Sequence, residues 1–328
     1  MRARQDAPAH RRRLAFTLAP FLAGCGGVQS TFSAFGTEAE STRALTLGMT
    51  IAGALIVAGV AALVVHAIRS PPGRLDHRRG MRVILWLGGL GPVALLTVLL
   101  LLSLPTMRSL RAEPGGLVIA VDGEQFWWRV RYAVTPERTV ESANEIHLPV
   151  GRTVTFELAS ADVIHSFWIP GLAGKMDMIP GRTNTLVAHA TRTGRFRGTC
   201  AEFCGLSHAR MAIDVVVLAA PEFDRWLAET ERPAPDAHDA GRDLFGAYGC
   251  DGCHAIRGHF AGSTIGPDLT HFGSRTSLGA GASPITRAAV ARFVRDSSSL
   301  KPGSRMPAFR QMPPDDAERV ATYLMDRR

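Results

Sequence analysis

Two long stretches of the sequence lack charged residues altogether: Ala44–Ile68 and Val83–Pro105. Each is at least 23 residues long, which is enough to cross a hydrocarbon core of about 30 Å. Because two such runs occur, each flanked by arginines, a buried helix of a soluble protein is a poor explanation. The Arg-rich segment between them indicates a cytoplasmic turn, since positive charge favours that side of a membrane. The sequence therefore predicts a hairpin of two transmembrane helices with both ends outside.

Cysteine is scarce, and the few cysteines do not suggest a disulfide framework. There are five: Cys200 and Cys204 form one close pair, Cys250 and Cys253 form another, and Cys25 stands alone. An odd number in an exported protein requires an explanation for the unpaired one. Each of the five stands in its own chemical setting, so no disulfide is needed to account for them.

Negative charge is in deficit, with 29 Asp and Glu against 37 Lys and Arg. Much of the basic excess lies near the N-terminus, at Arg11–Arg13 and in the Arg69–Arg82 segment between the two apolar runs. That placement indicates membrane topology, and nucleic acid is not expected as a partner.

Residues 11–25 have the pattern of an export signal. Arg11–Arg13 precede a short apolar run, Leu14–Leu22, that is too short to span a bilayer. The segment ends Leu-Ala-Gly-Cys25 and resembles a bacterial lipobox, which implies cleavage before Cys25 and acylation of that cysteine. The alternative is an uncleaved signal with small residues at its end. Acylation requires Cys25 to be outside, in agreement with the predicted hairpin.

The pattern changes to short β-rich stretches after the second apolar run, separated by Gly, Pro and Asn turns. The predicted strands are Leu117–Val121, Phe126–Tyr132, Glu145–His147, Thr153–Leu158, Thr185–Ala190, Arg195–Thr199 and Ala212–Leu218. Several strands at short spacing indicate a β-sandwich or barrel. A short helix at Pro221–Leu227 and a linker at Thr230–Asp239 follow. Helical spacing at Ala240–Tyr248, Ile285–Asp296 and Asp315–Met325 predicts a helical C-terminal region.

Metal-binding side chains are concentrated in the segment Cys200-Ala-Glu-Phe-Cys204-Gly-Leu-Ser-His208-Ala-Arg-Met211. Sulfur together with imidazole favours copper, zinc or iron, and His165 offers a second imidazole. Two thiolates at this spacing can bridge two metal ions. Each ion then takes one histidine, one ion takes the Met211 sulfur, and the other takes a backbone carbonyl such as that of Glu202. A single structural zinc is an alternative, but methionine is a poor zinc ligand.

This segment resembles the CuA-binding loop of cytochrome c oxidase subunit II, and the likeness extends from about Gln125 to Val217. The resemblance implies a cupredoxin-like all-β sandwich with a binuclear copper A centre held by His165, Cys200, Glu202, Cys204, His208 and Met211. It also implies a magnesium ion at the interface with subunit I, held by the Glu202 carboxylate, and it places Asp162 and Asp177 toward that subunit. Copper-delivery thiol proteins share the cysteine pair but lack the downstream histidine and methionine.

Two positions depart from the family pattern. The tryptophan at which the family accepts electrons from cytochrome c corresponds to Phe126. Either Trp127 or Trp128 substitutes for it, or electrons from the fused haem enter by another route. The carboxylate that family members often carry in the second helix corresponds to Leu85, so no residue of that run is assigned to proton uptake.

A second motif, Cys250-Asp-Gly-Cys253-His254, predicts covalent haem c, with both thiols attached to the haem vinyl groups and His254 as one axial ligand. Met306, in a Met-Pro pair, is the expected second axial ligand, because methionine raises the redox potential. Met312, which also precedes a proline, is the alternative. The segment Gly266-Pro-Asp-Leu269 resembles a stretch of class I cytochromes c whose proline orients the haem histidine.

The predicted organisation is multidomain: a signal peptide (1–24), a membrane anchor (25–110) with helices at about 44–68 and 83–105, a CuA domain (115–221), a helix and linker (222–239), and an all-α cytochrome c domain (240–328). The resemblance implies an oxidase subunit that passes electrons from its haem to CuA and on to subunit I. Expected partners are subunits I and III, a donor cytochrome c or cytochrome bc complex, and membrane lipid. The expected location is the bacterial inner membrane, with both soluble domains on the periplasmic side. The alternatives are a copper-delivery or thiol-redox protein with an attached cytochrome, and the CuA subunit of a nitric-oxide-reducing complex.

Overall fold

The structure is a computed structural model that describes residues 27–71, 76–109, 114–135, 138–235, 239–260 and 263–328. The predicted signal segment and Cys25 lie outside these residues. The described chain divides into two compact units, of which one is the segment 38–113. The other unit contains residues up to Thr37 together with Pro114–Arg328.

Two helical segments of the smaller unit are long and apolar enough to cross a membrane: Thr37–Arg69, with 33 residues, and His77–Pro105, with 29. The first is helix α1 (Thr37–Arg69). The second begins with α2 (His77–Val83), continues through a π-helical stretch at Ile84–Leu90 and ends as α3 (Gly91–Ser109). The wider turns precede Pro92, whose ring has no N–H and would clash with a carbonyl in a regular helix.

Ten strands form two five-stranded sheets in the larger unit. They are β1 (Leu117–Glu124), β2 (Trp127–Thr135), β3 (Arg138–Ala143), β4 (Glu145–Pro149), β5 (Thr153–Ser160), β6 (His165–Trp168), β7 (Met176–Met178), β8 (Asn184–His189), β9 (Gly194–Cys200) and β10 (Ala212–Leu218). The strand orders are β3-β2-β1-β5-β8 and β4-β10-β9-β6-β7.

The sandwich core lies between the two sheets. Strand β1 pairs in parallel with β5 and antiparallel with β2, and β10 pairs in parallel with β4 and antiparallel with β9. Alternate residues of β1 are buried, as expected for a strand with one face on a core. Ile119 and Val121 of β1, Trp128 and Val130 of β2, and Phe156 of β5 are all fully buried there.

The segment before α1 packs on this sandwich. The ring of Phe35 stacks on that of Phe196, with centroids 3.6 Å apart, and is 1% exposed. The Phe35 amide donates to the Gly171 carbonyl at 2.7 Å, and the Phe35 carbonyl accepts from the Thr191 amide at 2.7 Å. Residues immediately before the first membrane-spanning segment are thereby fixed to the β-domain.

The C-terminal region is helical. Helix α4 (Ala220–Glu231) follows β10, and the region after it contains α5 (Ala240–Ala247), α6 (Arg287–Arg295), α7 (Ser297–Leu300) and α8 (Pro314–Met325). Short 3-10 turns occur at Cys250–Gly252 and Phe272–Ser274, and two-residue strands β11 (Ser277–Leu278) and β12 (Ser283–Pro284) pair with each other. Helix α8 packs against both α5 and α6 around an apolar core. The predicted architecture of two apolar helices, a β-sandwich and a helical C-terminal domain is confirmed.

Candidate metal and haem sites

The sandwich brings the predicted copper donors together from different strands. His165 begins β6, Cys200 ends β9, and Met211 directly precedes β10. The connection between β9 and β10 carries Cys204 and a 3-10 turn that begins at His208. Because β9 and β10 are antiparallel neighbours and β6 pairs with β9, the ends of these strands meet at one edge of the sandwich.

The donor atoms lie within a few ångströms of each other. The Sγ atoms of Cys200 and Cys204 are 3.9 Å apart. His165 Nδ1 is 3.8 Å from Cys200 Sγ, and His208 Nδ1 is 3.7 Å from Cys204 Sγ. Met211 Sδ is 3.8 Å from Cys204 Sγ. This arrangement places one imidazole beside each cysteine sulfur.

A backbone oxygen completes the donor set. The Glu202 carbonyl oxygen lies 3.2 Å from Cys200 Sγ. The donor atoms of His165, Cys200 and Cys204 all lie within 4.8 Å of one another, and the three side chains are buried. Two soft thiols, two imidazoles, a thioether and a carbonyl suit copper, so the residues present fit a copper pair.

The Asp162 carboxylate binds the nitrogen of the His165 ring that faces away from the cysteines. Its Oδ1 lies 2.9 Å from His165 Nε2, so the imidazole presents Nδ1 to the sulfur atoms. The Asp162 carboxylate also accepts hydrogen bonds from the amides of Gln125, at 2.8 Å, and Val163, at 2.7 Å. Burial opposes ionisation of Asp162, but these hydrogen bonds prevail and lower its pKa. Outer carboxylates of this kind fix the orientation of a ligand histidine.

The two thiols have different acidities. Burial disfavours the Cys200 thiolate, but hydrogen bonds from His165 and nearby backbone groups outweigh it and lower the pKa to about 7. Burial, followed by the negative charge on Cys200, raises the pKa of Cys204 to about 12. The negative charge of one thiolate therefore opposes ionisation of the other thiol beside it.

The exposed rim of this site is apolar. Residues 200–211 are called the copper loop below. Its residues Phe203 and Leu206 are 76% and 80% exposed, and Val163 and Ile164 before β6 are also exposed. The Glu202 side chain is exposed between them. A cluster of large apolar side chains around a buried site is typical of a docking surface.

The aromatic residues singled out in the sequence lie in different environments. Trp128 is fully buried, with its ring centroid 6.2 Å from that of His165. Trp127 is half-buried beneath the Arg129 guanidinium, 4.7 Å from its ring centroid. Arg129 also donates to the Thr264 carbonyl of the C-terminal region at 2.7 Å. Phe126 is 4% exposed.

The haem motif lies just after α5. Cys250 belongs to the 3-10 turn Cys250–Gly252, and Cys253 and His254 follow it. His254 Nδ1 lies 2.8 Å from the Pro267 carbonyl, so Nε2 remains for a metal. Burial lowers the pKa of His254, which keeps the imidazole neutral. Two free thiols and an oriented neutral imidazole fit covalent haem c.

The two candidate methionines lie in the same domain. Met306 is partly buried against its core, and its carbonyl accepts from Ser297 Oγ at 2.9 Å. Met312 is 1% exposed within that core.

The sequence did not predict the hydrogen bond between Asp162 and His165. A carboxylate three residues before a candidate ligand histidine is the signal that could have indicated it.

Comparisons with known proteins match both the β-sandwich and the C-terminal region of the chain. Residues 129–218 match the family model "Cytochrome C oxidase subunit II, periplasmic domain", and residues 238–327 match "Cytochrome c". Cytochrome c oxidase subunit 2 of Alkalihalophilus pseudofirmus is 40% identical over 210 residues, which cover 63% of this chain and 60% of that protein. The subunit 2 of Bacillus sp. (strain PS3) is 31% identical over 246 residues, which cover 70% and 67%.

A solved structure also matches part of the chain. The periplasmic domain of subunit II of cytochrome oxidase from Bradyrhizobium japonicum is 32% identical, with a TM-score of 0.34, and the match covers 36% of this chain and 96% of that one. The aligned segments span 60 to 67% of the two relatives' lengths.

The fold and the two donor sets define a class of protein in which a copper-binding β-sandwich with an apolar helical hairpin is fused to a c-type cytochrome domain. The chain belongs to the cytochrome c oxidase subunit II family. The resemblance noted in the sequence is thereby confirmed, and membership implies a CuA centre and covalent haem c.

Proposed function

We propose that the chain is the electron-accepting subunit of a cytochrome c oxidase that reduces oxygen to water. Electrons from a donor cytochrome c or cytochrome bc complex pass through the haem c domain to CuA and then to subunit I, where oxygen is reduced. The observation that carries this proposal is that one compact unit contains both donor sets, one on the sandwich and one on the helical domain.

The proposed copper ligands are the side chains of His165, Cys200, Cys204, His208 and Met211, with the carbonyl of Glu202. When bound, the copper pair and the haem iron each accept and release one electron. The chain's own contribution is rigidity: the two thiols and Met211 are buried, and strands on either side fix them. A rigid, dry site reduces the rearrangement that accompanies electron transfer.

The haem is proposed to be attached through Cys250 and Cys253, with His254 and Met306 as axial ligands. The hydrogen bond from His254 to Pro267 supports this assignment, because it fixes the ring and its tautomer. Ser297 supports Met306 by holding its carbonyl.

The partners follow from the surface around the copper site. We assign the exposed apolar rim, Phe203 and Leu206 above all, to contact with subunit I. The exposed Glu202 carboxylate is the proposed magnesium ligand at that interface.

Subunit III, membrane lipid and an acyl group on Cys25 complete the proposed assembly in the bacterial inner membrane, with the soluble domains in the periplasm. Trp127 and Trp128 remain the proposed aromatic contacts for electron transfer near the copper site.

The test is electron paramagnetic resonance on the full chain matured with copper and haem. We expect a copper signal split by two equivalent nuclei beside a low-spin haem signal. The chain should also co-purify with a haem–copper catalytic subunit whose cytochrome c oxidation fails without it. A signal from one isolated copper, or a catalytic subunit fully active without this chain, would contradict the proposal.

A further inference from the structure

The loop that leads to Met306 lies against the β-sandwich. This segment, residues 300–306, is called the Met306 loop below and follows α7 in the haem domain. Ser207, next to His208 in the copper loop, donates from Oγ to the Pro302 carbonyl at 2.7 Å and is 1% exposed. Arg210 donates to the carbonyl of Leu300. The loop that carries the proposed haem ligand therefore contacts the loop that carries the copper ligands.

A buried ammonium group lies at the centre of this contact. Lys301 is 4% exposed, and its Nζ donates to the Phe126 carbonyl of the sandwich and, at 2.8 Å, to the Gly279 carbonyl of the haem domain. In the described part of the chain, no carboxylate forms an ion pair with it. Burial lowers the pKa of Lys301 to about 7.

Such a group is costly to bury, since an ammonium loses its hydration and gains two neutral acceptors, with the Cys204 thiol as a further electrostatic partner. Lys301 is also one of only two lysines among 37 basic residues. A compact ammonium can reach two carbonyls in a narrow space, whereas the flat guanidinium of arginine needs a wider one.

Near Lys301, the backbone of the Met306 loop lies close to side chains of the sandwich and the copper loop. Gly303 has a φ of +78°, and a Cβ there would lie 3.1 Å from the Phe126 ring and 3.3 Å from Leu206. A side chain would therefore be strained and would push the Met306 loop away from the copper loop.

The Asp162 carboxylate connects the Met306 loop to His165, one of the proposed copper ligands. Arg305, the residue before Met306, pairs with Asp162 Oδ2 at 3.0 Å. The other oxygen of Asp162 binds His165 Nε2 at 2.9 Å. One side chain thus touches both the neighbour of a proposed haem ligand and a proposed copper ligand.

We propose that Lys301 is a positioning residue that locks the Met306 loop onto the copper loop, with Arg305 and Asp162 as the adjoining link. The lock fixes the haem domain relative to the copper site, so that electrons pass between them without a docking step. Each transfer oxidises the donor centre in the haem domain by one electron and reduces the copper pair by one, and no bond forms or breaks. The electron-transfer part of this inference rests on the proposed function, whereas the docking part does not.

The experiment compares hydrogen exchange in the full chain, matured with copper and haem, with that of Lys301→Met. The variant keeps most of the stem but leaves the carbonyls of Phe126 and Gly279 without their donor. We expect amide exchange to rise about tenfold in three segments, 122–128, 204–211 and 300–306, because hydrogen bonds to charged groups are among the stronger ones. The rate of haem-to-copper electron transfer after flash reduction should fall, with unchanged haem and copper spectra. Lys175→Met, which alters the exposed lysine, is the matched control and should change neither measurement.

A second variant keeps the test decisive if Lys301→Met fails to mature. Arg305→Gln removes an ion pair whose arginine is 62% exposed, so the domain should still fold, and the transfer rate should fall about threefold. Arg310→Gln, which breaks the Arg310–Asp296 pair within the haem domain, is its control.

Unchanged exchange and transfer rate in both Lys301→Met and Arg305→Gln would overturn the lock. Faster exchange in Lys301→Met, with no transfer even in the unaltered protein, would support the lock and overturn the proposed function.

Discussion

Gly123 of β1 lies directly beside the imidazole of His165. A Cβ at this position would lie 2.7 Å from His165 Cδ2 and 2.9 Å from Cγ, well inside contact distance. The histidine ring therefore occupies the space that a side chain on β1 would fill. The absence of a single methyl group lets the imidazole reach both Cys200 and Asp162.

We predict that Gly123→Ala displaces His165 and disrupts the copper site. Overpacking of a filled interior costs about 1–3 kcal/mol, and the movable part here is the ring itself. The copper hyperfine pattern in electron paramagnetic resonance should lose its two-nucleus splitting, while the haem spectrum should be unchanged. Gly174→Ala is the control, because no atom lies within 4 Å of its Cβ position. An intact splitting in Gly123→Ala would show that the neighbouring backbone moves instead of the ring.

The chemistry and spacing of the residues made the metal donors predictable, but not the residues that hold the donor loops in place. Cysteine, histidine and methionine at short spacing carry a chemical signal in the sequence, and the structure brings these side chains together. Lys301 carries no such signal, because lysine is usually exposed and burial depends on contact between distant segments. The Arg305–Asp162 pair joins residues 143 positions apart, so local sequence could not indicate it.

Among the elements, strands rich in apolar and β-branched residues were the predictable ones. The predictions at Thr153–Leu158 and Ala212–Leu218 correspond to β5 and β10. Strand β3 was missed because its sequence, Arg-Thr-Val-Glu-Ser-Ala, has few apolar residues and buries only Val140 and Ala143. Its structure comes from pairing with β2, which is a tertiary effect.

The crossing of α5 and α8 fixes the ends of the haem domain to each other. Gly241 of α5 lies so close to α8 that a Cβ there would lie 2.6 Å from the Cβ of Tyr323 and closer still to the Arg319 carbonyl. Both helices also enclose Phe245, whose ring lies 5.9 Å from that of Tyr323.

We predict that Gly241→Ala destabilises the haem domain, although alanine is the better helix former. Separation of the helices should cost about 1–3 kcal/mol, which exceeds the gain of about 0.5–1 kcal/mol from helix propensity. Denaturant unfolding followed by haem absorbance measures the difference. Gly246→Ala in the same helix is the control, since its nearest atom would be 3.4 Å away, in Phe260. Equal stability of the two variants would mean that the crossing adapts to an extra methyl group.

For the molecule as a whole, the packing of the segment before α1 bears on membrane topology. Phe35 is held in the sandwich core, and α1 begins two residues later, at Thr37. The chain leaves α3 at Ser109 and enters the first strand of the same sandwich at Leu117. Both outer ends of the hairpin therefore connect to one domain, which must lie on one side of the membrane.

This connectivity predicts that the turn between the helices lies on the opposite side from the sandwich. The arginines Arg69, Arg78 and Arg82 near the turn favour the cytoplasm for it, so the sandwich and haem domain should lie outside. Alkaline phosphatase, which requires an oxidising compartment to form its disulfides, should be inactive when fused after Pro71 and active when fused after Gly115. A reporter active only in the cytoplasm should give the reverse pattern at the same two positions. Phosphatase activity after Pro71 would refute this orientation of the hairpin, because a turn outside would leave the Phe35 segment and the sandwich on the cytoplasmic side.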